Sequence, residues 1–122
     1  MLQMDIFNFH RVEYIVVDTG MAVFDREGIA KLASYRHGVG ADRVLLVDKS
    51  LGQLVAAADG KGCWQMVSAY DCQVARAAFG SIERPKEMQY RELRVTDYFL
   101  GRLLAEEAGK KLSSEGDLKI AG

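Results

Sequence analysis

The side chains able to do chemistry in this 122-residue chain are few. Cys72 follows Asp71 at the start of a short helical pattern. A thiol in the first turn of a helix is a candidate acid or base, because the backbone amides there stabilise a thiolate. His10 is a candidate base, and the neighbouring Asp71 charge works against the thiolate. The plainer reading is a cysteine packed as a small apolar residue. Cys63, beside Trp64 at the base of a hairpin, reads as structural. His10 and His37 stand at no metal-ligand spacing from either cysteine, so no metal site is expected. Arg36, Arg43, Arg91 and Arg94 form a second candidate set. Guanidinium groups facing one cleft can hold a carboxylate or phosphate in two-pronged fashion. The competing reading is that they are solvated, or paired with Asp42, Glu87 and Glu92.

These residues need elements to position them. "LQMDIFNF" alternates as a half-buried strand does, and "YIVVD" is a β-branched run. "FDREGIAKLASYRHG" predicts a helix, with Asp25 as N-cap and Gly38 closing it. "RVLLVD" is a strand. "QLVAAADGKGCWQMVSAYD" is a hairpin around Asp59 to Gly62. "DCQVARAAFG" is a short helix with Asp71 as cap and Gly80 as stop. The longest helical signal runs from Pro85 to Gly109. It carries the i,i+4 pairs Glu87–Arg91 and Arg102–Glu106 and an apolar face of Leu93, Phe99, Leu100, Leu103 and Leu104, with Tyr98 beside it. "DLKIAG" is a closing strand pattern. Strands and helices do not alternate regularly, so the expected class is α+β, as one domain over residues 1–122.

The composition narrows the functional classes. Net charge is −1 with both signs mixed, and apolar residues make up 49%, enough for a core. No basic stripe calls for nucleic acid, and no apolar run reaches the roughly 20 residues of a membrane span. Two cysteines are too few for a disulfide framework, which fits reduced thiols in a cytoplasmic protein without a signal peptide. The "GVG" at Gly38 to Gly40 is no dinucleotide fingerprint. It follows a helix and precedes a strand, and the third glycine is missing. It reads as a turn.

The stretch Phe24 to Asp48, with its helix, "RHGVGAD" turn and strand, resembles the corresponding segment of diaminopimelate epimerases. "YIVVD" is similar to that family's second strand, "RVTDYFLGRLLAEEAG" to its central helix, and "DLKIAG" to the strand after it. The resemblance implies a half-domain, with a mostly antiparallel sheet wrapped around one long central helix. Two such halves form the enzymes, and each gives one cysteine to a cleft where one thiolate takes a Cα proton and the other thiol returns one. No cofactor is needed. The family's motifs are absent here. Aligning Arg94 with the arginine of the central helix puts Gln89 at the catalytic cysteine and Tyr90, Arg91 and Glu92 at its Gly-Asn-Gly. Val12 stands for the substrate-binding asparagine, Arg43 for a glutamine and Ser68 for the asparagine of the Asn-Ala-Asp-Gly strand end. The resemblance therefore implies a non-catalytic binding or assembly protein. It would pair into a homodimer whose shared cleft, with Arg43, Arg91 and Gln89, takes a small carboxylate. The alternative is a cofactor-independent racemase or epimerase, working as a homodimer with Cys72 as acid or base.

Overall fold

The computed structural model describes residues 2–20, 25–35 and 38–95. Six strands form one sheet in the order β5-β4-β3-β2-β1-β6. The strands are β1 (Leu2–Phe9), β2 (Val12–Asp18), β3 (Arg43–Asp48), β4 (Gln53–Asp59), β5 (Trp64–Gln65) and β6 (Gln89–Val95). Four of the five pairings are antiparallel; only β2 and β3 run parallel. The parallel pair is joined through helix α1 (Arg26–Ala33), as a parallel crossover requires. Helix α2 (Ala69–Phe79) lies between β5 and β6 in the chain. The class is α+β, as the sequence predicts.

Strand alternation divides the core between the two faces of the sheet. Met4, Ile6, Ile15, Val17, Val44 and Leu46 meet Ile29, Leu32 and Ala33 of α1. Phe7, Phe9, Tyr14, Val16, Leu45 and Val47 meet Val74 and Ala75 of α2. Among the described residues one helix covers each face, and these show no long central helix for the sheet to wrap around.

The long helix expected from Pro85 is the largest correction. Residues 86–87 form a turn, Met88 N–H donates to the Pro85 carbonyl at 3.0 Å, and β6 follows. Residues 89–95 are strand because β1 offers them a full partner, from Leu2 opposite Val95 to Asn8 opposite Gln89. Tertiary pairing overrides the local helical spacing. The leucines from Leu100 onward, Tyr98, Phe99 and the "DLKIAG" pattern lie outside the described residues, as do Arg36 and His37.

α1 begins where expected: the Asp25 carboxylate accepts from Gly28 N–H at 2.9 Å. Its end differs. Ser34 is the C-cap, and Gly38 passes close over the last turn instead. A Cβ at Gly38 would collide with the Lys31 and Leu32 carbonyl oxygens. Gly38, Val39 and Ala41 donate their N–H groups to Ser34, Leu32 and Ala33 carbonyls at 2.8–2.9 Å. The glycine turn is thus a helix-closing lock, with its amides turned to carbonyls rather than to an anion. Gly40 sits at φ +89°, with the Tyr35 ring where a side chain would stand.

Candidate functional site

Most candidate residues gather at one end of the sheet, where β1 and β4 finish and β2 and β3 start. On the α2 face of that end, Arg43 opens β3. Its guanidinium donates to both oxygens of Asp71, at 2.9 and 2.5 Å, and to the Met66 carbonyl at 3.3 Å. Asp71 is fully buried. Its carboxylate also accepts from Ser68 N–H at 2.8 Å, while Ser68 Oγ accepts from Asp71 N–H at 3.1 Å. Ser68 is therefore the N-cap and Asp71 the third residue of a capping box. The box satisfies amides of the helix start, and Arg43 neutralises the charge placed there.

This arrangement corrects two expectations. Asp71 is not the cap, so Cys72 is not the first helical residue but the fourth. Its N–H already donates to the Ser68 carbonyl at 3.2 Å. The half-buried thiol is beyond the free amides that would stabilise a thiolate. Nor does His10 come forward as its base. The imidazole stacks on Tyr70, with centroids 4.3 Å apart, and packs on Phe9 at 4.2 Å.

Tyr14 stands beside Arg43 in the parallel register and is almost wholly buried. No hydrogen bond joins its hydroxyl to the described residues. Burial first, then the Asp71 charge, pushes its phenol upward, while Arg43 pulls the other way. It stays a neutral phenol beneath the ion pair.

The arginine set is split by the sheet. Arg43 faces α2, whereas Gln89 and Arg91 pair with Asn8 and Ile6 on the α1 face. The structure does bring Gln89 and Arg91 together. With Asn8, Glu13 and Ile6 they line a shallow hollow of about 150 Å³. Asn8 donates to Glu13 at 2.7 Å, and no ion pair engages Arg91 among the described residues. Arg94 lies in β6 opposite Gln3. Gln89 is a strand residue, not one at a helix start, so its alignment with a catalytic cysteine loses its structural basis.

Cys63 is held in the expected turn. Asp59 Oδ1 accepts from Lys61 N–H and Cys63 N–H, both at 2.9 Å, and these bonds hold the carboxyl below its ordinary range. Arg26 donates to Cys63 Sγ at 3.2 Å, tying α1 to this turn. Among the described residues no group of His, Cys, Asp or Glu is arranged to hold a metal, and no helix is long and apolar enough to cross a membrane.

Two features escaped the sequence reading. Ser68-Ala-Tyr-Asp71 is a capping-box pattern visible in the sequence. The second is an exposed apolar cluster between β5 and the start of α2. Trp64 is 56% exposed, Met66 92%, and Val67 and Tyr70 47% each. Of the known proteins, no family model matches this chain and no curated protein matches it.

Proposed function

We propose that this chain is a non-catalytic binding domain, related to one half of a diaminopimelate epimerase, that works by associating with a second copy of itself. The observation carrying this is the cluster Trp64, Met66, Val67 and Tyr70. Four large apolar side chains within seven residues stand exposed from β5 through the connecting segment to Tyr70 in the first turn of α2. Isolated exposed apolar residues are ordinary, but a contiguous group marks a contact surface. A second copy is the chosen occupant because a half-domain exposes what its other half would cover. A two-fold axis lets one patch cover its own image.

The epimerase likeness is supported by order. A helix, a Gly-Val-Gly-x-Asp turn and a strand follow one another as α1, residues 38–42 and β3. The helix following the hairpin is α2, with Ser68 as its N-cap. Gln89, aligned with the family's catalytic cysteine, carries no thiol. A small carboxylate guest would find its donors at Gln89 and Arg91, with Arg43 already committed to Asp71. Among the described residues no hydrogen bond joins the Cys72 thiol to a base, and deuterium exchange at Cα of amino acids, lost in Cys72→Ser, would support the isomerase alternative.

Light scattering over a concentration series tests the proposal. Twice the chain mass is expected for the wild type, and a single chain mass for Met66→Asp or Trp64→Ser. A wild type that stays monomeric at every concentration overturns it, as does a dimer indifferent to both substitutions.

A further inference from the structure

A second hollow lies on the α2 face, at the opposite end of that helix from the apolar cluster. It measures about 450 Å³ and opens between β1, β6 and the end of α2. That volume lies within the range of small-molecule sites. Its lining is mixed: half-buried Ala78 and Phe79 on the helix give it an apolar side, and buried Phe7 lies beneath its floor. The Phe7 and Tyr90 rings stand 5.0 Å apart. Three polar groups converge on it: Asp5, Tyr90 and Arg84.

The charge on this hollow decides what fits it. Asp5 is buried and already compensated. One oxygen accepts from Lys49 Nζ at 2.8 Å and the other from the Tyr90 hydroxyl at 2.9 Å. Two carbonyls at the end of α2 are engaged too, since Gly80 N–H donates to Ala77 and Ser81 N–H to Arg76. Arg84 is the group left over. It donates once, to the Met88 carbonyl at 2.7 Å, and its guanidinium sits 5.8 Å from the Tyr90 ring centre. No carboxylate among the described residues pairs with it. A guanidinium has five N–H donors, so most of them remain available.

We propose that this hollow binds a small aromatic carboxylate, with the ring against Ala78 and Phe79 of α2 and the carboxylate on Arg84. The site is separate from the apolar cluster and does not depend on self-association. An unneutralised guanidinium beside the apolar Ala78–Phe79 side of the hollow favours an anion with an apolar body. A cation would meet Arg84 with like charge, and Asp5 is held by Lys49 and Tyr90.

The probe is 2-naphthoate, with 2-naphthalenemethanol as its uncharged counterpart, measured by equilibrium dialysis on the full chain. Saturable one-to-one binding of the naphthoate is expected. Arg84→Gln changes an exposed side chain and should weaken the naphthoate at least tenfold while moving the alcohol less than twofold. Ala78→Phe should abolish both by filling the hollow. Absence of saturable naphthoate binding by the wild type overturns the site. So does an Arg84→Gln protein that binds it unchanged, or one that loses both probes equally. The Arg84 comparison decides even where Ala78→Phe fails to fold.

Discussion

The two faces of the sheet are built on different terms. Against α1, every large buried side chain among the described residues is aliphatic: Met4, Ile6, Ile15, Val17, Ile29, Leu32, Val44 and Leu46. Against α2, the core holds Phe7, Phe9 and Tyr14, and both buried carboxylates of the described residues, Asp5 and Asp71, lie on this side with Lys49 and Arg43 as partners. The α1 face is held by area removed from water, which is non-directional. The α2 face is held in addition by pairs that tolerate only one position. Both candidate surfaces, the apolar cluster and the Arg84 hollow, adjoin this second face. The difference suggests that α2 is the element whose placement must be exact for binding, and that α1 supplies bulk stability.

The largest effect expected from breaking this contrast is at Asp71. Asp71→Ala leaves Arg43 without its carboxylate and Ser68 N–H without its acceptor, and should cost about 3–5 kcal/mol in urea unfolding. Replacing both partners, Arg43→Met with Asp71→Leu, should recover much of that loss, because no charge is then stranded. A double variant as unstable as Asp71→Ala alone would mean that the capping box, not the ion pair, holds the helix start. On the dry face, Leu32→Ala should cost about 2–5 kcal/mol through lost burial and a cavity. Its effect should be independent of salt and should leave dimer mass and naphthoate binding unchanged. Equal damage to binding from both faces would remove the division of labour.

Legibility in the sequence follows the same line. α1 with its Asp25 cap, β2, β3 and the turn at Asp59 to Gly62 were readable because their causes are local: a cap, a β-branched run, a glycine pair. β6 was not. Glu87 and Arg91 have helical spacing, and the alternation of Gln89, Arg91 and Leu93 against Tyr90 and Glu92 gains meaning only beside β1. The Tyr90 hydroxyl meets Asp5 across 85 positions of chain. The Arg43–Asp71 pair closes across 28 positions, so the sequence leaves Arg43 open to a ligand or to Asp42, Glu87 and Glu92, whereas the fold commits it to Asp71. Of the site, the helix start is legible in part: Ser68 and Asp71 both have N-cap side chains, and only their reciprocal bonds in the fold show Ser68 as the cap and Asp71 as the third residue. Long-range partners, rather than residue types, were what the sequence withheld.

A smaller, pH-dependent effect separates the faces further. Burial, then the hydrogen bond to Asp5 and its charge, raise the Tyr90 phenol from 10.0 to about 12. The fold therefore favours the neutral phenol. The stability this contributes is present in full below about pH 10 and is lost as pH rises toward about 12. Tyr90→Phe should lower stability at neutral pH modestly and flatten the alkaline decline. A parallel decline in both proteins would assign the alkaline sensitivity to another group.

The smallest expected effect concerns the β1–β2 turn, where His10 and Arg11 both have positive φ, 52° and 65°. A two-residue hairpin with both central residues left-handed favours Asn-Gly or similar, and neither residue here is of that kind. Arg11 is exposed, so Arg11→Gly should stabilise by about 0.5–1 kcal/mol, the relief of a left-handed side chain less the extra freedom of glycine when unfolded. His10 has the same backbone penalty but stacks on Tyr70 and Phe9. His10→Gly should therefore gain less than Arg11→Gly, or lose stability outright. Thermal unfolding of the two variants compares them directly. Equal gains would mean that the imidazole stack contributes nothing to the fold. A loss confined to His10→Gly would mean that the strained turn is kept because it seats the ring against the start of α2, beside the surface assigned to self-association.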